Sequence, residues 1–173
     1  EGGEIGFYSY RGYGTGVSGL ATNGNVGIDN AGDIEGYGYK QAVGVFGRSD
    51  YGDVSVDNSG SILVTSGSGT AAGVFARADY GTASVTNSGD ITASNTPGTG
   101  FYGYAAYGIL ARGNYAEVAN SGNIVADGYY YATGIAASSY YGTTVTNSGG
   151  SISAIAVGEG TGISASSLFG DAS

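Results

Sequence analysis

Short segments of alternating apolar and polar residues follow one another along the chain, separated by residues that favour turns. Segments 54–56, 61–65 and 72–76 each show the period of two that is typical of a half-buried β-strand. The residues between them, 57–60 and 66–70, are rich in Asn, Ser and Gly, and we expect positive φ there because Asn and Gly tolerate it. No segment combines helical spacing with helix caps. The pattern therefore predicts units of three short strands joined by turns.

This unit recurs along the whole sequence. A signature of the form Ile/Val-x-Asn-Ala/Ser-Gly occurs five times, and its central residues are Asn30, Asn58, Asn87, Asn120 and Asn147. An isoleucine follows each copy, at Ile34, Ile62, Ile91, Ile124 and Ile152, with Ile5 as a sixth at the front. A Gly-Val or Gly-Ile pair closes each unit, the valine or isoleucine being Val17, Val45, Val74, Ile109, Ile135 and Ile163. Three landmarks that recur together indicate a solenoid.

The repeat predicts an all-β fold, a parallel β-helix of about six coils with near 29 residues and three short strands per coil. We expect one β-solenoid domain over residues 1–173, with coils that start near Glu1, Asn30, Asn58, Asn87, Asn120 and Asn147. An antiparallel sandwich or barrel is the alternative, but it does not predict identical turns at a fixed period. Stacking places equivalent residues above one another, so the five asparagines are predicted to form a ladder of side-chain amides.

The two ends of the sequence have almost the same phase in the repeat, and neither shows a capping segment. We expect either a segment of a longer array or a unit that stacks end to end with other copies. Uncovered coil ends are open strand edges, which favour pairing with a further coil. The longest unit, near 33 residues, is predicted to hold a loop that includes Pro97.

Composition narrows the function classes. The chain has no cysteine and no histidine, so thiolate metal sites and the commonest general base are excluded. Five basic against 14 acidic residues, a net charge of −9, leave no cationic patch for nucleic acid or for an anionic membrane surface. No apolar run is long enough for a transmembrane helix. We therefore predict no catalytic residues, no metal ligands and no cofactor.

Several columns remain as candidate sites. Arg48, Arg77 and Arg112 are expected to stack, either as a solvated rim paired with nearby aspartates or as an anion or glycan site. Asp29 and Asp57 occupy equivalent positions in adjacent units, where stacked carboxylates could share a hard cation such as calcium. Aromatic residues recur at one turn, at Tyr51, Tyr80, Tyr141 and Phe169. The loops carry further tyrosines that form a possible contact surface, namely Tyr102, Tyr104, Tyr129, Tyr130 and Tyr131.

The segment from Tyr80-Gly81 to Ala93, followed by Gly108-Ile109-Leu110-Ala111, resembles the repetitive passenger regions of bacterial autotransporter proteins. This resemblance extends over essentially the whole chain. It implies a secreted, right-handed β-helix displayed at the bacterial surface, with an adhesive or scaffolding role and no catalytic site. The translocator barrel of that family is not part of this sequence.

We expect a non-enzymatic extracellular structural protein, either a surface fibre subunit that associates end to end or an adhesin-type passenger stalk. The alternative is an adhesive module that binds glycans or cell surfaces through the loop tyrosines. A solenoid enzyme that cleaves polysaccharides is the least favoured hypothesis, because that chemistry usually needs clustered basic residues and a groove.

Overall fold

A computed structural model describes residues 3–96 and 104–173. Within these ranges all regular secondary structure is β-strand, and there is no helix. The strands are β1 (Glu4–Ser9), β2 (Tyr13–Ala21), β3 (Val26–Asn30), β4 (Asp33–Gly38), β5 (Gln41–Ser49), β6 (Val54–Asn58), β7 (Ile62–Ser66), β8 (Thr70–Asn87), β9 (Ile91–Asn95), β10 (Ala105–Asn120), β11 (Ile124–Gly128), β12 (Tyr131–Asn147), β13 (Ile152–Ala156), β14 (Glu159–Ser167) and β15 (Asp171–Ala172).

All described strand pairs are parallel, and they stack into three faces. Face 1 is the six-stranded sheet β1-β4-β7-β9-β11-β13. Face 2 contains β2, β5, the first halves of β8, β10 and β12, and β14, whereas face 3 contains β3, β6, the second halves of those long strands, and β15. We number the corners by the faces that precede them, so corner 3 leads from face 3 to face 1 of the next coil. The fold is a parallel β-solenoid of about six coils with about 28 residues each.

The three sequence landmarks lie in register on successive coils, which confirms the predicted fold. Ile5 pairs with Ile34, and the same column continues through Ile62, Ile91, Ile124 and Ile152. On face 2, Val17, Val45, Val74, Ile109, Ile135 and Ile163 form a second column. Equivalent side chains therefore pack on one another from coil to coil and fill a continuous interior.

In the first five coils, the glycine before the face-2 valine or isoleucine is required by the narrow interior. A Cβ on Gly73 would overlap with Ile91 Cγ2 on face 1 and would lie 2.7 Å from Gly108 O of the next coil. Gly44, Gly108 and Gly134 have the same environment against Ile62, Ile124 and Ile152. The isoleucine column and the glycine column thus fit each other across the core, and Ile62, Ile91 and Ile124 are almost completely buried.

Two details differ from the sequence prediction. In the third to fifth coils the second and third strands are continuous, as β8, β10 and β12, because their hydrogen-bonded pairing continues around corner 2. The expected positive φ at the Asn and Gly of these turns is wrong: among the described residues only Gly24 and Gly150 have positive φ, and Gly150 follows the last Asn-Ser-Gly turn. A Cβ on Gly60 or Gly89 would instead overlap with the carbonyl oxygen of the glycine one coil below, so close approach of the stacked turns selects glycine.

Candidate functional site

The five predicted ladder asparagines form one continuous hydrogen-bonded column at corner 3. Nδ2 of each of the first four donates to Oδ1 of the asparagine in the next coil. The distances are 2.7 Å from Asn30 to Asn58 and from Asn58 to Asn87, 2.8 Å from Asn87 to Asn120 and 2.7 Å from Asn120 to Asn147. The first four side chains are buried, and Asn87 is only 1% exposed. The ladder expected from the sequence is therefore present.

The same amide nitrogens also satisfy the turn backbone. Nδ2 of Asn58 donates a second hydrogen bond to Gly60 O at 2.9 Å, and Nδ2 of Asn87 does the same to Gly89 O at 2.8 Å. An amide offers two donors and a strong acceptor, so asparagine serves the coil above, the coil below and its own turn together. The role of this column is therefore structural, because the amide groups of the buried asparagines are used for hydrogen bonds within the fold.

A second polar column, which the sequence reading missed, precedes the face-1 isoleucines. Asp33 Oδ1 accepts hydrogen bonds from the backbone N–H and the hydroxyl of Ser61, and these bonds, the hydroxyl first, hold the pKa of Asp33 below its ordinary value. Further along, Asp90 Oδ1 accepts from Asn123, whose Oδ1 accepts from Ser151 in the same way. The available signal was an Asp, Asn or Ser directly before each repeat isoleucine from Ile34 onward.

The predicted arginine column is present on face 2, where Arg48 pairs in register with Arg77, and Arg77 with Arg112. Arg48 lies 2.9 Å from Asp50 and 3.5 Å from Asp79, and Arg77 also pairs with Asp79. These side chains are partly exposed, so water screens the ion pairs and each contributes little to stability. The first two arginines therefore form a solvated rim.

Aromatic side chains follow at corner 2, as the sequence predicted. The rings of Tyr51 and Tyr80 are stacked with centroids 5.2 Å apart and planes 5° apart. Phe169 lies at the same corner one coil after Tyr141, as the hydrogen bond from the Phe169 N–H to Tyr140 O shows. All four rings of the column remain more than half exposed. Corner 2 thus presents aromatic surface to solvent along the solenoid.

The loop tyrosines divide between interior and surface. Tyr104 is 1% exposed and packs against Tyr129 and Tyr130, with ring centroids 6.1 and 5.9 Å away, so it supports these rings rather than presenting its own. Tyr130 and Tyr131 are 41% and 55% exposed at corner 1. Tyr102, like Pro97, lies outside the described residues.

A further aromatic groove, not anticipated from the sequence, lies on the outer side of face 1 in the first coils. Tyr8 stacks on Tyr37 with ring centroids 4.8 Å apart and contacts Tyr10. The groove encloses about 550 Å³ and is also lined by Glu35 and Leu63. Desolvation together with the neighbouring Tyr10 raises the pKa of Tyr8. The available signal was the alternation of β1 and β4, which places Tyr8 and Tyr37 on the same outward positions.

The remaining candidates have simple surroundings. Asp29 and Asp57 pair in register on face 3, and both are exposed. In residues 3–96 and 104–173, no three acidic side chains converge in a way that could hold a metal ion. The same part of the chain has no apolar helix long enough to cross a membrane.

No protein-family model matches the chain, and no curated protein and no solved structure matches it significantly.

Proposed function

We propose that this chain is a non-enzymatic structural protein of the bacterial cell exterior, in which the solenoid is a stiff rod that serves as a fibre subunit or as a passenger stalk. The observation that carries this proposal is the continuity of the asparagine ladder and the isoleucine column through successive coils. Six coils at about 4.8 Å each give a rod of about 29 Å, and more coils would lengthen it without changing its cross-section.

The ladder has a direction, and this supports end-to-end association. At the first coil, Asn30 Oδ1 receives no hydrogen bond from the described residues. At the last coil, Asn147 Nδ2 has only a 3.4 Å hydrogen bond to Gly150 O. One end therefore offers an amide acceptor and the other an amide donor, as a head-to-tail contact requires. Ile163 of the core column is 45% exposed at the donor end and would be buried by a further coil.

The composition and the position of the acidic residues support a non-enzymatic role. The chain lacks histidine and cysteine, and the paired carboxylates Asp29 and Asp57 lie exposed on a sheet face, a poor place for acid–base catalysis. The resemblance of the repeats to autotransporter passenger regions supports a location at the cell surface.

Association can be tested with two matched variants. Analytical ultracentrifugation and electron microscopy should show threads or oligomers that grow with protein concentration. Ile163→Glu, at the end of the rod, should abolish this growth, whereas Leu63→Glu, at a lateral site of 43% exposure, should leave it unchanged. Intact, folded chains that remain monomeric at every concentration would disprove end-to-end association.

Glycan binding by the loop tyrosines is the alternative function, and the exposure of Tyr130 and Tyr131 above buried Tyr104 favours it. Exposed tyrosine rings can stack on sugar rings while their hydroxyls form hydrogen bonds. Binding to a glycan array that disappears when residues 129–131 are changed to serine would support this function, and unchanged binding would reject it.

A further inference from the structure

The fourth coil is unusually short at corner 2. Between the paired positions Ala78 and Ala83 the third coil has four residues, 79–82, whereas the fourth coil has only Asn114 and Tyr115 between the corresponding Gly113 and Ala116. The fifth coil has three residues there, 140–142. Since a shorter turn cannot extend as far outwards, the fourth coil is recessed between its two neighbours.

Aromatic rings form the walls of this recess. It encloses about 460 Å³ and is lined by Asp79, Tyr80, Asn114, Tyr140 and Tyr141, and we call it the corner-2 recess. The fourth coil's own ring, Tyr115, packs on Tyr141 with ring centroids 5.9 Å apart and does not line the recess. Tyr80 is stacked on Tyr51, and its opposite face has no ring against it among the described residues, so a saturated ring can stack there at about 4 Å. The three tyrosines that line the recess are more than half exposed. The axial C–H groups of a pyranose carry positive partial charge and would meet the negative face of the Tyr80 ring.

Polar groups lie at the base of the same recess. Asn114 Nδ2 donates to Tyr80 O at 3.0 Å, which fixes the side chain, while its Oδ1 has no hydrogen bond to the described residues. The Asp79 carboxylate is held by Arg48 and Arg77. A fixed amide and a fixed carboxylate between aromatic walls are suited to the hydroxyl groups of a sugar.

A guanidinium without an acidic partner lies beside the recess. A neighbouring cavity of about 310 Å³ shares Asp79 and Tyr140 with it and is also lined by Arg77, Arg112 and Ser138. Arg48 and Arg77 have aspartates two residues further on, but the shortened fourth coil has Asn114 at that position. Arg112 therefore forms no ion pair with the described residues and can bind a carboxylate of a ligand through two parallel hydrogen bonds.

We propose that the corner-2 recess binds a uronate unit of an acidic saccharide, with the pyranose ring on the face of Tyr80 that points away from Tyr51 and the carboxylate on Arg112. The site is separate from the tyrosines of corner 1 and does not depend on the mechanical role of the rod. It arises from the shortened turn, in which Tyr115 packs on Tyr141 and Asn114 stands where the second and third coils have an aspartate.

The test is titration calorimetry with tetragalacturonate and with its methyl-esterified, neutral counterpart. We expect saturable binding of the acidic saccharide below about 1 mM that weakens with salt, and at least about tenfold weaker binding of the neutral one. Arg112→Gln and Tyr80→Ala should each weaken binding by about tenfold. Asn114→Tyr should also abolish binding, because the new ring would fill the recess and continue the aromatic column.

Two control variants locate the effect. Tyr13→Ala, at a position that is 70% exposed in the first coil, and Tyr131→Ser at corner 1 should leave the affinity unchanged. Circular dichroism verifies that each variant is folded. The proposal is overturned if tetragalacturonate does not bind, if the methyl ester binds equally well, if Arg112→Gln and Asn114→Tyr leave binding intact, or if only the corner-1 variant reduces it.

Discussion

The asparagine ladder should contribute strongly to stability in its interior and weakly at its end. Asn87 donates to Asn120 Oδ1 and Gly89 O and accepts from Asn58 Nδ2, with all three distances between 2.7 and 2.8 Å. Asn87→Ala removes these bonds and leaves polar atoms of buried residues without a partner. At about 1–3 kcal/mol for each such loss, we expect the free energy of unfolding to fall by about 3–5 kcal/mol.

The matched control is Asn147→Ala. This side chain is exposed, accepts one ladder bond from Asn120 and donates only over 3.4 Å to Gly150 O, so water can replace it. We expect a loss of about 1 kcal/mol or less. Both values can be measured by guanidinium chloride unfolding followed by far-UV circular dichroism. Equal, small losses at the two positions would refute the reasoning that burial gives the ladder its strength.

Asn87→Asp separates hydrogen bonding from shape. The carboxylate would face two acceptors, Gly89 O and Asn120 Oδ1, where the native side chain donates. Burial and these acceptors should raise the pKa of the new carboxyl in the folded protein. The folded protein is therefore most stable when this carboxyl is protonated, and it loses stability as pH rises through the raised pKa. The variant should therefore be closer to wild-type stability near pH 4 than at pH 7, and a constant difference would contradict the predicted direction of the ladder.

Three further predictions concern the core, the acidic turn and the rim. Gly73→Ala should cost about 1–3 kcal/mol because its Cβ overlaps with Ile91 Cγ2, whereas Gly27→Ala, with open space around its Cβ, should change the free energy of unfolding by less than about 1 kcal/mol in the same denaturation assay. The lowered folded pKa of Asp33 contributes stability above about pH 4 that is lost as pH falls through that pKa; Asp33→Asn, which keeps the acceptor Oδ1, should make acid unfolding less steep, and an unchanged acid profile would count against it. Asp50→Asn should change thermal stability by less than about 1 kcal/mol, because its ion pair with Arg48 is partly exposed; a larger loss would show that the rim is not merely solvated.

The sequence by itself determined the solenoid and its columns. Period-two alternation reports which side chains face the interior, and a fixed repeat length places equivalent residues above one another. The isoleucine column, the Gly-Val pairs and the asparagine ladder were therefore readable from spacing alone. The stacking of Tyr51 on Tyr80 and the register of the three arginines follow from the same periodicity.

Only the tertiary structure decided features that depend on distances between coils or across the core. The glycine of each Asn-Ser-Gly turn was expected to serve a positive φ, but at Gly60 and Gly89 it serves the close approach of stacked turns. The burial of Tyr104 under Tyr130 and the recess at Asn114 likewise depend on how far each turn projects outwards. A linear pattern specifies which residues stack, whereas the depth of a turn depends on the neighbouring coils against which it packs.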